Sequence, residues 1–145
     1  KYLSKGSSSS LDAIKHIFKK KKYDGNIILL QPTSPLRQDE DIISVHNLLF
    51  RGYSPIMSVS KSLHNSSLMF YQNVFRKLKP VNKNKIDIFY PNGAIYAAHS
   101  KWINKNNSFY KKEIHAYEMD QSHSIDIDLE YQFIMAEAYF RKLNN

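Results

Sequence analysis

The sequence predicts an α/β domain: a mostly parallel sheet with helices on its faces. Three observations predict it. Residues 26–30 and 55–60 are short apolar runs bounded by turn residues, the pattern of buried strands. Between them, residues 39–50 carry apolar side chains at helical spacing, which makes a strand–helix–strand unit. Strand-like and helix-like segments go on alternating along the rest of the chain.

The elements follow in order. Residues 5–10, KGSSSS, form a polar loop suited to a linker or a helix cap. Leu11, Ile14, Ile17 and Phe18 then fall on one face of a short helix. The run Lys19, Lys20, Lys21, Lys22 suits the negative end of that helix. Tyr23, Asp24 and Gly25 turn the chain into the first strand, which is expected at the centre of the sheet. Pro32 and Pro35 stop its ladder and fix a rigid loop. The helix over 39–50 ends near Gly52. Residues 68–79, aromatic and basic, read as a strand or hairpin, and 82–85 as loop. Pro91-Asn92-Gly93 signals a turn from which residues 94–98 leave as a strand. Ser100 can cap a short helix over 101–104, and residues 114–118 read as a further strand. Asp128 opens the last helix, with Phe133, Ala136, Tyr139 and Phe140 along its buried side. There is no internal repeat. The 145 residues make one domain.

Composition narrows the function. The absence of cysteine excludes disulfides, thiol catalysis and Cys-ligated metal sites. No apolar run approaches the ~20 residues that span a bilayer, and the first residues are polar. The expected setting is cytoplasmic, with no membrane partner. A net charge of +8 invites a nucleic-acid reading. Lysine is spread along the chain, however, so solvated faces are favoured and no nucleic-acid partner is expected. The same charge attracts small anionic substrates such as nucleotides.

Chemistry has three candidate places. Gln31, Thr33 and Ser34 stand at the carboxyl end of the first strand, where α/β sheets bind ligands. A rigid structural turn is the competing reading there. In residues 124–128, an extended backbone would put Asp126 and Asp128 on one side. Two such carboxylates repel unless a cation neutralises them, and Mg²⁺ suits a site that leaves room for substrate phosphates. The alternative makes Asp128 a helix N-cap and Asp126 a solvated acid. In the segment from Pro91 to Tyr96, Gly93 allows positive φ or close approach of a ligand, and Tyr96 ends in a polar tip. The alternative there is an ordinary turn into a buried strand.

The stretch Leu29-Leu30-Gln31-Pro32-Thr33-Ser34-Pro35-Leu36-Arg37 resembles a signature of the acylneuraminate cytidylyltransferases (CMP-sialic acid synthetases). Pro91-Asn92-Gly93-Ala94-Ile95-Tyr96 resembles their second motif. Ser124-Ile125-Asp126-Ile127-Asp128, leading to Ala136-Glu137, resembles their third. The resemblance implies a Rossmann-like three-layer nucleotidyltransferase fold. It implies transfer of CMP from CTP to a nine-carbon 2-keto sugar acid, sialic acid or a related nonulosonic acid, with release of pyrophosphate. Asp126 and Asp128 would be the catalytic, Mg²⁺-holding pair. Gln31, Thr33, Tyr96, Asn92 and the aromatic pair Phe109 and Tyr110 would meet the substrate, and Ser7 and Ser9 the cytosine. A homodimer would form through an excursion at residues 61–89. The family's phosphate-cradling loop and first strands precede the part that this chain matches, so the fold is expected to be truncated at its N-terminus. Lys83 or Lys85 stands where the family often has the arginine that meets the sugar carboxylate. The alternative function is a catalytically inactive remnant that dimerises or binds sugar.

Overall fold

The computed structural model describes residues 9–81, 84, 86–110 and 113–143. Helix α1 (Ser10–Lys21) opens on a reciprocal cap: the Ser9 hydroxyl accepts from the Asp12 amide, and the Asp12 carboxylate accepts from the Ser9 amide. It buries Ile14 and Phe18 and ends in three lysines, with Lys22 left-handed beyond them. Strand β1 (Asn26–Leu30), helix α2 (Asp39–Phe50) and strand β2 (Ile56–Lys61) follow as the apolar pattern predicts. A 3-10 turn at Ser66–Leu68 precedes a hairpin of β3 (Phe70–Gln72) and β4 (Leu78–Pro80). The long strand β5 (Phe89–His99) runs directly into α3 (Ser100–Asn106). Strand β6 (His115–Glu118), a 3-10 turn at Gln121–His123 and α4 (Glu130–Leu143) complete the chain.

The sheet corrects the expectation of a mostly parallel order. Its order is β1-β5-β2-β6; β5 runs antiparallel to both neighbours, and only β2 and β6 are parallel. The strand–helix–strand unit does form, with β1 and β2 pointing the same way. A later strand of opposite direction is inserted between them, so β5, not β1, is central and β1 lies at an edge of the described sheet. Pairing across more than 30 residues leaves no trace in local periodicity.

Pro91-Asn92-Gly93 is likewise not a turn before a strand. It is an irregularity inside β5, across which the register with β2 shifts from Met57↔Tyr96 to Val59↔Pro91. Gly93 has φ +77, the conformation glycine tolerates best.

Two apolar clusters cover the two sheet faces. One joins Ile14, Phe18, Met57, Tyr96, Ile103 and Phe109. The other joins Val45, Leu49, Ile56, Ile95, Ala97 and Met119. Helix α4 departs from expectation: of its predicted buried side only Ala136 is buried, while Phe133, Tyr139 and Phe140 are exposed. No helix among the described residues is long and apolar enough to cross a membrane.

The burial pattern makes a paired prediction. Ile95→Ala, at a site with no exposed surface, is expected to cost about 2–5 kcal/mol. Phe133→Ala, on the exposed side of α4, is expected to stay within about 0.5 kcal/mol. Urea unfolding of the two variants measures both.

Candidate active site

Two adjoining clefts gather most of the residues singled out by sequence. The first, of about 280 Å³, is lined by Ser9, Ser10, Leu11, Leu29, Gln31, Tyr96, Phe109 and Tyr110. Gln31 reaches it from the end of β1, Tyr96 from β5, and the aromatic pair from the loop after α3. The Tyr96 and Tyr110 hydroxyls lie 2.9 Å apart, and the Tyr96 ring packs on Phe109 at 5.5 Å between centroids. Burial, the Tyr110 hydroxyl and the Asp126 charge, in that order, push the Tyr96 phenol well above its ordinary value. Tyr96 is therefore a neutral hydroxyl at physiological pH.

The second cleft, of about 440 Å³, has Pro91, Asn92, Ser124, Ile125, Asp126 and Asp128 on one side. Tyr131, Met135 and Tyr139 face it from one stripe of α4, four residues apart along the helix. Both carboxylates thus line one cavity, as the sequence predicts, on an irregular segment and not a strand. Asp128 does not cap α4 with its side chain: the Asp128 and Leu129 amides donate to Gln132 Oε1 at 2.8 and 2.7 Å. The Asp128 carboxylate is exposed.

Asp126 is the more constrained. It lies against Gly93, where an added Cβ would come within 2.9 Å of Asp126 Cγ and closer still to its oxygen. The Ile127 amide donates to the Thr33 carbonyl at 2.8 Å, which ties the acidic segment to the loop after β1. Asp126 Oδ1 is buried without a hydrogen-bond partner. An ionised oxygen left so is costly, and a cation would supply the missing partner. Two carboxylates with one open oxygen fit Mg²⁺, which takes one or two protein carboxylates and fills its other positions with water and phosphate oxygens. No group of three or more His, Asp or Glu is gathered among the described residues, so a site built entirely from such side chains is not what they offer.

Other predicted residues are placed differently. The Ser9 hydroxyl lines the first cleft but is engaged in the α1 cap, 2.9 Å from Asp12 Oδ2. Thr33 lines neither of the two clefts and contributes its carbonyl. Asn92 is 3% exposed, and its amide is bonded within the protein. Ser7, Lys83 and Lys85 lie outside the described residues.

Sequence reasoning passed over Arg37, whose Nη1 donates to the Gln31 and Ala94 carbonyls at 3.2 and 2.8 Å and pins the end of β1 to β5. It also passed over Ser58 and Ser60, buried in β2 among Ile56, Met57 and Val59. Their alternation within that strand was the available signal. Asp41, buried on α2, accepts from the Tyr117 hydroxyl at 3.0 Å and lies 3.6 Å from His123. That contact anchors the turn leading into the acidic segment.

The chain is a mixed α/β domain with an acid-lined cleft. Its architecture is shared with a 4-diphosphocytidyl-2C-methyl-D-erythritol synthase from Anaerococcus prevotii, at TM-score 0.64 and 14% identity, over 94% of this chain and 68% of that one. No protein-family model matches the chain. Among curated proteins, it is 30% identical to the N-acylneuraminate cytidylyltransferase of Escherichia coli O18:K1:H7, over 98% of this chain and 36% of that enzyme. It is 29% identical to the CMP-N,N'-diacetyllegionaminic acid synthase of Legionella pneumophila, over 77% of this chain and 52% of that enzyme. The resemblance to the acylneuraminate cytidylyltransferases is therefore borne out along nearly the whole chain. The chain spans about a third to a half of the length of these two relatives.

Two outcomes follow from this geometry. Gly93→Ala forces a Cβ against Asp126 at positive φ, and is expected to destabilise the fold by about 1–3 kcal/mol in urea unfolding. The raised Tyr96 value means the fold favours the neutral phenol. That contribution is complete below the ordinary 10.0 and is lost as pH rises above it. Between about pH 9 and about pH 11, the wild type should lose more stability than Tyr96→Phe.

Proposed function

We propose that the polypeptide containing this chain transfers CMP from CTP to a nonulosonic acid and releases pyrophosphate. The observation that carries this reading is the convergence of Gln31, Tyr96, Phe109 and Tyr110 in one pocket beside a cleft lined by Asp126 and Asp128. Two of the relatives bear the names of enzymes that activate such acids with cytidylate. In the reaction, the anomeric hydroxyl of the sugar acid attacks the α-phosphorus of CTP. The new oxygen–phosphorus bond forms as the bond from the α-phosphorus to the bridging oxygen breaks, pyrophosphate leaves with that oxygen, and the hydroxyl proton passes to solvent water.

The residues have distinct tasks. Gln31 offers both amide donors and an acceptor to sugar hydroxyl or amide groups. Tyr96, held neutral, offers a hydroxyl that bonds without adding charge near an anionic substrate. Phe109 and Tyr110 supply an apolar wall for the acyl and ring carbons. Asp126 and Asp128 would hold Mg²⁺, which when bound neutralises phosphate charge and orients the triphosphate. A homodimer accompanies this reading. Its support is the β3–β4 hairpin within residues 61–89, where Phe70, Tyr71 and Leu78 stand exposed as unpaired apolar surface of the kind interfaces cover.

The test is pyrophosphate release from CTP with Mg²⁺ and, in separate assays, N-acetylneuraminic acid and N,N'-diacetyllegionaminic acid, in the chain itself and in the full product of its gene. Sugar-dependent release is expected from the full product. Asp126→Asn there should lower the rate about a hundredfold or more, since metal contacts contribute several kcal/mol to such transition states. Gln31→Ala should raise KM for the sugar acid more than KM for CTP. Absence of sugar-dependent release from the full product overturns the reading.

A further inference from the structure

Residues 124–128, which carry both carboxylates, are irregular backbone and cannot hold themselves in place. The Ile127 amide ties one end of the segment to the Thr33 carbonyl, and a side chain of the central strand ties the other. Asn92, at the irregularity in β5, accepts at Oδ1 from the Ser58 hydroxyl at 2.6 Å and the Ala94 amide at 3.2 Å. Its Nδ2 donates to the Ser60 hydroxyl at 3.2 Å and the Ser124 hydroxyl at 3.1 Å. Both lone pairs and both protons of the amide are thereby spent. Ser124 passes its own proton on to the Asp120 carbonyl at 2.5 Å. Two residues beyond it stands Asp126, pressed on Gly93, the residue after Asn92.

We propose that Asn92 and Ser124 are positioning residues: their hydrogen bond fixes the acidic segment so that the Asp126 carboxylate is held in place to receive a divalent cation. The inference rests on the assignment of Asp126 and Asp128 as cation ligands. It gives Asn92 a role other than substrate contact, because no polar atom of its side chain remains for a ligand. Preorganisation of this kind matters because a carboxylate free to swing would have to be ordered by the metal itself. The two buried serines of β2 serve the same end from below. They orient the amide so that its donor side faces Ser124.

The experiment is titration of the chain with Mn²⁺ alone, followed by the electron paramagnetic resonance of free Mn²⁺, beside thermal melting. Ser124 is only half-buried, so Ser124→Ala can remove the tether without opening the core. It is expected to weaken Mn²⁺ binding about tenfold while melting within about 2 °C of the wild type. Ser124→Thr, which keeps the hydroxyl, should restore the affinity. Unchanged affinity in Ser124→Ala, with binding lost in Asp126→Asn, overturns the clamp alone. Binding that is equal in the wild type and Asp126→Asn overturns the cation assignment, and the clamp with it.

Discussion

At Asn92 and Gly93 the central strand must satisfy two neighbours whose spacing does not match. The pairing of β5 with β1 is regular from His99 to Ile95. Its pairing with β2 slips between Met57 and Val59. The extra residues have to go somewhere, and glycine at positive φ is the low-strain solution. The slip turns Asn92 inward, where it is buried against Ser58 and Ser60. It also leaves a bare Cα at Gly93 against which a carboxylate can lie. The acidic segment, the floor of its cleft and the position of Tyr96 three residues on all depend on that local compromise.

The electrostatics follow from this arrangement. Asp126 lies close enough to Tyr96 for its charge to disfavour the phenolate, in the same direction as burial and the Tyr110 hydroxyl. The charge of the second cleft is thus felt in the first, where it adds to burial and the Tyr110 hydroxyl in raising the Tyr96 phenol. A net charge of +8 spread over the outer faces draws anions toward the molecule. Inside, Asp126 Oδ1 is buried without a hydrogen-bond partner.

Local chemistry was readable in the sequence, and long-range order was not. Helix α2 and strand β2 came from apolar spacing that dominates any window of a dozen residues. Asp126, Asp128, Gln31, Tyr96 and the aromatic pair were visible as residue types in patterned stretches, and the structure brings them to adjoining clefts. The insertion of β5 between β1 and β2 could not be read, because antiparallel and parallel neighbours demand the same apolar run. Pro91-Asn92-Gly93 carries the same letters whether it makes a turn or a bulge. The face of α4 was misjudged for another reason: Tyr131, Met135 and Tyr139 line the cleft while Phe133 and Phe140 face outward. A helix apolar on several sides gives no preferred face.

Hydrogen-bond accounting separates the roles of residues that one motif places side by side. Asn92 and Asp126 are both polar, and both are tied to the same turn of backbone. The amide is fully satisfied by its own protein, so it serves the fold. The carboxylate keeps an oxygen that nothing among the described residues satisfies, and leaving a charged group so is costly. An orphan alone is not sufficient: Ser34 Oγ is also unpartnered and fully buried, yet it lines neither of the two clefts. Nothing can reach it, and its small neutral hydroxyl costs about 1–3 kcal/mol, which a core of this size absorbs. Asp126 differs from Ser34 in that its orphaned oxygen belongs to a carboxylate and its residue lines the second cleft.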